Sequence, residues 1–249
     1  MVIVANGTEG GGRGVGAPGP GSDLRHMRLL AGLAPQDLGE VARFLNIRHY
    51  RPGGFIFDVG ERADKIYFLD RGIVKVTIVS PDGRERILDV IDAGDTFGES
   101  FLSEERGRTS AAQSLTATVV RTMPAAAFIS LMQTLPKLCV AFVRRLSDLQ
   151  RRALLRLDAQ MQADRGVRLL AVLVDLAERC GRRVGEGYLL PVELTQGELG
   201  RMVGLNRSSV SVLLNRKRRA GIVGGRGGTI VINPTLAREE LRKAGLLFS

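Results

Sequence analysis

Two cysteines and two histidines are all that the 249 residues offer to thiol, metal or imidazole chemistry. Cys139 and Cys180 lie far apart and outside any CxxC spacing. They imply neither a disulfide framework nor a cysteine-ligated metal, and both are expected as buried thiols. His26 and His49 have no evident catalytic partner, so no enzyme is expected. No stretch approaches the ~18 to 20 uninterrupted apolar residues of a membrane span, and the N-terminus has neither a basic leader nor a credible apolar one. A cytoplasmic protein with no membrane partner is therefore expected. What is present, 44% hydrophobic and 25% charged residues, is a globular composition that can bury the core of one large domain or two ordinary ones.

Acidic residues are also in deficit, and the deficit is local. The formal net charge is +10, and residues 165–249 hold 15 Lys and Arg against 7 Asp and Glu, so about +8 belongs to the last third. A basic surface of that kind is the footprint of a polyanionic partner.

The chain divides by pattern. Residues 1–22 contain eight glycines and almost no large apolar residue after Val4, which predicts a disordered tail. Ser22 is a candidate cap for a short helix carrying Leu24, Met27, Leu29, Leu30 and Leu33, and Pro35 opens a second helix through Leu38, Val41 and Leu45. Residues 46–123 read as short β-rich runs punctuated by Gly60, Gly72, Gly83 and Gly94, which indicates a sandwich, roll or barrel. Pro81-Asp82-Gly83 is a turn because proline presets φ and glycine tolerates the positive region. From Pro136 the period becomes helical, with Cys139, Phe142, Leu146, Leu149, Ala153, Leu157 and Met161 forming an apolar seam that wants a second copy of the same helix. Asp164 caps a further helix, Arg165 to Arg179, and marks a hinge. The expected domains are a tail at 1–22, a β-rich unit at 23–135, the long helix at 136–163 and a basic domain at 164–249.

Two constellations carry chemistry. In the basic domain, Thr195 and Glu198 have capping-box spacing, so a helix begins at Gln196, and Gly204 breaks it. Asn206 caps a second helix, Arg207 to Arg219, with Val210, Leu213 and Leu214 inward and Arg207, Ser208, Ser211 and Asn215 outward. Two short helices around a glycine turn form a helix-turn-helix that reads double-stranded DNA in the major groove. Arg207 is placed for a bidentate bond to guanine. Thr195, Gln196, Asn206, Ser208, Ser209, Ser211, Asn215 and Arg216 complete the DNA-facing set, and Lys217, Arg218 and Arg219 read as phosphate neutralisers. Residues 224–232 read as a β-hairpin wing with Arg226 at its tip. In the β-rich unit, Phe97-Gly98-Glu99-Ser100 followed by Arg108-Thr109 sets a glycine turn and a carboxylate opposite an arginine and a hydroxyl. Such a set suits a cyclic phosphodiester.

Taken in order, residues 28–235 resemble the cyclic-AMP receptor protein and fumarate–nitrate reductase regulator superfamily. The resemblance covers the two short helices, the segment from Tyr50-Arg51-Pro52-Gly53 through Asp64-Lys65-Ile66-Tyr67-Phe68-Leu69, the Gly98 to Thr109 cassette, the long helix and the winged helix-turn-helix. It implies an α+β fold: an N-terminal β-roll, a long dimerisation helix and a C-terminal winged helix-turn-helix. It implies a homodimer on a two-fold operator, with ligand in each roll repositioning the DNA-binding domains about the hinge near Asp164 and transcription following from contact with, or exclusion of, RNA polymerase.

Residue by residue, Gly98 and Glu99 match the family's ribose-binding pair, and Arg108 and Thr109 its phosphate-binding pair. The Thr-Ser pair that grips adenine in cAMP-responsive members is Ala153-Leu154 here on an ungapped alignment. The cassette would then bind cAMP in a different pose, bind another nucleotide, or persist as an internal arginine–glutamate pair in a constitutively competent protein. The N-terminal cysteine cluster of the iron–sulfur members is absent, so neither that cluster nor another metal is expected. In the recognition helix the family's frequent Arg-Glu-x-x-x-Arg becomes Arg207-Ser208-Ser209-Val210-Ser211-Val212, which implies a different operator. Two other readings remain open: a regulator of this fold that needs no ligand and is controlled by its abundance, and a cyclic-nucleotide-binding signalling module without DNA activity.

Overall fold

The computed structural model describes residues 24–81, 83–104, 107–190, 194–225 and 228–246. The expectations for the 1–22 tail, the Ser22 cap, Asp82 and Arg226 fall outside the described residues.

The chain opens with a single 3-10 turn, Leu24–His26, and then a run of turns to Leu33. The α-helix expected here does not form, yet its apolar set is the buried one: Leu24, Met27, Leu29, Leu30 and Leu33. The reason is tertiary. The Arg28 amide donates to the Gly94 carbonyl, and the Arg28 guanidinium reaches Asp92 at 2.6 Å, which holds the segment against a β-turn in place of helical bonding. Helix α1, Pro35–Ala42, starts at the expected proline and ends short of Leu45.

Eight strands then form the roll: β1 Asn46–Tyr50, β2 Phe55–Phe57, β3 Lys65–Arg71, β4 Ile73–Val79, β5 Glu85–Asp92, β6 Thr96–Phe97, β7 Ala111–Ser114 and β8 Thr118–Pro124. They pair antiparallel in two four-stranded sheets, β1-β8-β3-β6 and β2-β7-β4-β5. Alternation sends one face of β3 toward the other sheet and the other face toward the helices. Tyr67, stacked with Phe97 at 5.1 Å and beside Phe57, fills the space between the sheets together with Leu69, Val74, Ile91 and Val120. Ile66 and Phe68 face outward onto Met27, Leu30, Phe128 and Phe142. A buried ion pair joins the neighbouring strands β8 and β3 of one sheet, Arg121 on Asp70 at 3.1 Å, with His26 on the same carboxylate.

Helix α2, Ala125–Thr134, leads into the 26-residue helix α3, Pro136–Met161. The expected apolar seam is corrected here. Leu138, Phe142 and Leu146 pack on the helix's own domain, so the first half of that seam is not available to a partner. The exposed apolar side chains are Val140, Val143, Leu154, Leu157 and Met161. A long helix packed on its own sheet carries two apolar stripes, and counting threes and fours merges them. Cys139 and Cys180 are also corrected from buried to half-buried, although burial still pushes the Cys180 thiol up to about 12.

Asp164 accepts from the Gly166 and Val167 amides and starts α4, Arg165–Cys180, whose apolar face forms the second core. A hairpin that the sequence did not signal follows, β9 Arg182–Val184 and β10 Gly187–Leu189. Then come α5 Gln196–Val203, α6 Arg207–Arg219, β11 Val223–Gly224, β12 Val231–Ile232 and α7 Pro234–Lys243. The order β11-β12-β10-β9 makes a four-stranded wing sheet. Ile73, Ile87 and Val90 of the roll join this second core, so the C-terminal domain rests on the β4–β5 hairpin.

Phe128 is fully buried with its ring 5.0 Å from that of Phe142. Phe128→Ala is expected to cost about 3–5 kcal/mol; a loss below about 1 kcal/mol in denaturant unfolding would mean that this cluster is not the pillar between roll and helices.

Candidate functional site

Strand β6 ends at Gly98, which sits at φ 84°; a Cβ there would lie 2.7 Å from the Tyr67 ring and 3.1 Å from Arg108 Nη1. Only glycine fits both the conformation and the space. A short 3-10 turn, Glu99–Leu102, follows, and the chain returns through Arg108 just ahead of β7. The Arg108 guanidinium donates from Nη1 to the Gly98 carbonyl at 2.8 Å and to Ser100 Oγ at 2.9 Å, and from Nη2 to the Lys65 carbonyl at 2.7 Å. It lies 4.3 Å over the centroid of Phe57. The residue is 2% exposed, its Nε has no partner, and no carboxylate stands within ion-pair distance among the described residues. A buried cation is ordinarily paired; this one donates from both Nη atoms but has no counter-charge among the described residues.

Glu99 stands beside Arg108 but is not paired with it, so the internal arginine–glutamate pair is not formed. Its Oε1 is buried without a hydrogen bond, and the nearest cation, Arg145 of α3, is 4.0 Å away. Burial therefore raises the Glu99 carboxyl above its ordinary range, against the pull of Arg145. Arg145 itself bridges Asp95 at 2.7 Å and the Thr96 carbonyl. Thus Gly98, Ser100 and Arg108 converge, Glu99 lines the same spot, and Thr109 is exposed beside it. Sequence reasoning missed Phe57, Tyr67 and Arg145, because nothing in local spacing reports a ring or a helix that arrives from elsewhere in the fold.

In the C-terminal domain the capping box is formed: Glu198 N donates to Thr195 Oγ1 and Thr195 N to Glu198 Oε2. Gly204 takes the left-handed conformation that ends α5. The tight angle to α6 also needs Gly200, where a Cβ would meet the Leu205 carbonyl at 2.3 Å. Asn206 caps α6 by accepting from Ser209 N, and its Oδ1 also takes the Ser208 hydroxyl. Arg207, Ser208, Asn215 and Arg216 are exposed on one face, with Gln196, Ser209 and Ser211 half-buried beside them. Lys217 is corrected: it is 6% exposed and bonded to Glu240 of α7, so it is a structural cation and not a phosphate neutraliser. Val212, 64% exposed among these polar residues, was missed because an isolated valine in a helix reads as core. The expected strand at 229–232 shortens to Val231–Ile232.

Among the described residues no group of three or more His, Cys, Asp or Glu converges to hold a metal, and no single helix is long and apolar enough to cross a membrane.

Two outcomes follow. Glu99 has a raised folded pKa, so its ionisation opposes folding: the penalty is absent below the ordinary carboxylate range and grows as pH rises through it. Glu99→Gln is expected to raise the melting temperature at pH 8 and leave it unchanged near pH 4; an equal effect at both values would refute the burial argument. Gly200→Ala is expected to cost about 1–3 kcal/mol through overpacking of the turn, read as earlier unfolding of the C-terminal domain.

Residues 47–135 match the family description "Cyclic nucleotide-binding domain", and residues 167–244 match "Crp-like helix-turn-helix domain". A CRP-like cAMP-activated global transcriptional regulator of Mycobacterium tuberculosis is 27% identical over 210 residues, covering 84% of this chain and 94% of that protein. A cyclic AMP receptor protein of Thermus thermophilus is 27% identical over 218 residues, covering 88% and 98%. The solved structure of FixK2 from Bradyrhizobium japonicum superposes with a TM-score of 0.69 at 21% identity, covering 82% of this chain and 98% of that one, a likeness of fold. With both domains matched in this order on a β-roll, a long helix and a winged helix-turn-helix, the chain belongs to the cyclic-AMP receptor protein and fumarate–nitrate reductase regulator superfamily of DNA-binding transcription regulators.

Proposed function

We propose that this regulator binds a two-fold operator as a homodimer and that a cyclic nucleotide in the β-roll, cAMP first among candidates, sets its affinity for DNA. The observation that carries the ligand reading is the buried Arg108 guanidinium, which has no counter-charge among the described residues. A cyclic phosphodiester brings one negative charge and acceptor oxygens, and it would exchange for the carbonyls of Gly98 and Lys65 that Arg108 now engages. Glu99, buried and without a hydrogen bond at Oε1, would accept from a ribose hydroxyl. Relatives named as cAMP-activated support this choice. Ala153 and Leu154 are both exposed and offer no side-chain hydrogen bond, so the base would be held by packing and discriminated weakly.

The dimer reading rests on α3. Val140, Val143, Ser147, Gln150, Leu154, Leu157 and Met161 follow alternating steps of three and four, and all are exposed. That is a heptad seam facing solvent in the single chain, and a second copy covers it with itself. Two copies would present two α6 helices to successive major grooves. Arg207 at the first turn would read a guanine, Val212 a thymine methyl, and Ser208, Ser211 and Asn215 neighbouring edges or phosphates. Transcription would then change through contact with, or exclusion of, RNA polymerase. A second reading, control by abundance without ligand, is favoured by one observation: both Nη atoms of Arg108 already donate, to three internal acceptors.

Calorimetric titration of cAMP, with DNA anisotropy on fragments of its own promoter region, separates the two. Binding that Arg108→Ala weakens by about 10- to 100-fold, the worth of charged hydrogen bonds, and that tightens DNA binding supports ligand control. No heat, with DNA bound equally well either way, supports control by abundance.

Two further outcomes test the interfaces. Arg207→Ala is expected to lose about 1–3 kcal/mol of operator discrimination while weakening non-specific binding little. Leu157→Glu is expected to shift the protein from dimer to monomer in sedimentation; a dimer that survives it would displace the seam.

A further inference from the structure

Between the Leu24–Leu33 segment, α3 and the end of α4 lies a cavity of about 820 Å³ that the reading above leaves unused. Seven of its lining side chains are cationic and two are carboxylates. Three of the cations are already compensated: Arg28 by Asp92 and Asp95, Arg145 by Asp95, and Arg179 by Asp89 and Asp175. The other arginines, Arg144, Arg151 and Arg152, have no ion-pair or hydrogen-bond partner among the described residues.

Arg152 is the most telling of the three. It is half-buried, its Nε is shut off from water without a partner, and it stands near two other guanidiniums. Burial first, and then the like charges of Arg179 and Arg145, push its pKa down, and Asp89 and Asp95, already engaged by Arg179 and Arg145, offset that only in part. Dimerisation would not supply the missing anion. In a parallel pairing along the exposed seam, Arg144 and Arg151 take flanking positions, and the opposite flanking residues of the second copy are Cys139, Leu146 and Ala153. None of these is acidic.

The size and the other wall narrow the ligand. A bare phosphate would leave most of such a cavity empty, whereas ligand pockets of this volume take molecules with an apolar body and a few polar anchors. Leu29, Leu33 and Ala141 provide the apolar wall. Three uncompensated guanidiniums match more charge than the single charge of a cyclic monophosphate. We propose that this crevice binds a nucleoside di- or triphosphate, with Arg144, Arg151 and Arg152 on the phosphates and the base against Leu29, Leu33 and Ala141. The site is separate from the Arg108 cassette but touches it through Arg145, which lines the crevice and stands 4.0 Å from Glu99. A nucleotide drawing on Arg145 would therefore be felt at the cyclic-nucleotide site.

The test is calorimetric titration of ATP, without divalent cation, into the full-length protein and four variants whose melting is checked first. Saturable binding is expected that weakens about tenfold or more in Arg152→Gln and in Arg144→Gln, and that persists in Arg108→Ala and Arg207→Ala. Arg144 is exposed, so its variant decides the matter if Arg152→Gln fails to fold. Pyrophosphate is expected to bind at least about tenfold more weakly than ATP. Absence of saturable binding, or binding indifferent to both crevice variants, would overturn the site. Loss in Arg108→Ala would move ATP to the cassette and loss in Arg207→Ala to the DNA face, and either would overturn it too. Pyrophosphate binding as tightly as ATP would overturn the nucleotide assignment by showing a charge sink without base recognition.

Discussion

Asp89 of the roll, Arg156 of the long helix, and Asp175 and Arg179 of α4 meet in a closed set of ion pairs between 2.7 and 3.1 Å. Burial alone would raise the Asp89 carboxyl, but Arg179 and Arg156 hold it below the usual range. Both cations also bond the β5 backbone, Arg156 at Leu88 and Arg179 at Val90. Three elements distant in sequence are thus joined by a group that is costly to leave half-made, because removing one partner strands an uncompensated charge. The orientation of the DNA-binding domain relative to the effector domain depends on this junction, with Gln160 on the Met202 carbonyl and Arg201 near Glu85 continuing it along β5 and α5.

Helix α3 transmits that constraint because it serves two packing surfaces at once. Its inner stripe, Leu138, Phe142 and Leu146, is part of the roll's core, while its outer stripe is unpartnered in the single chain. Between the two stripes stand Arg145, Arg152 and Arg156, which reach the cassette, the crevice and the junction respectively. A change of charge at any one of these sites acts on a single rigid element, which is a physical route for coupling a ligand to the C-terminal domain. Whether coupling uses this route is a matter of the equilibrium between two arrangements and not of proximity alone.

Much of the fold was legible because it depends on local rules. The glycine-punctuated strands, the Pro136 start of α3, the Asp164 cap, the Thr195–Glu198 capping box and the Asn206 cap are decided within a few residues, and each formed where the pattern set it. The errors share a cause. The segment after Leu24 buries the expected side chains without becoming an α-helix, since Gly94 and Asp92 compete for Arg28. The seam of α3 slipped by a residue in its first half because the roll claims Phe142. Lys217 counted as a surface cation until α7 arrived with Glu240. In each case a residue distant in sequence outbid the local preference.

The sequence by itself determined the order of the main units, roll, long helix and helix-turn-helix, and the basic face of α6, because caps, turns and alternation act over a handful of positions. Tertiary structure alone decided that Arg108 is buried with no carboxylate beside it among the described residues, that the wing has four strands, that α3 shows Leu154 and Leu157 outward, and that the arginines of α3 converge on a crevice. Those are facts about what surrounds a side chain, and burial and charge pairing are properties of neighbours that the chain brings together only by folding.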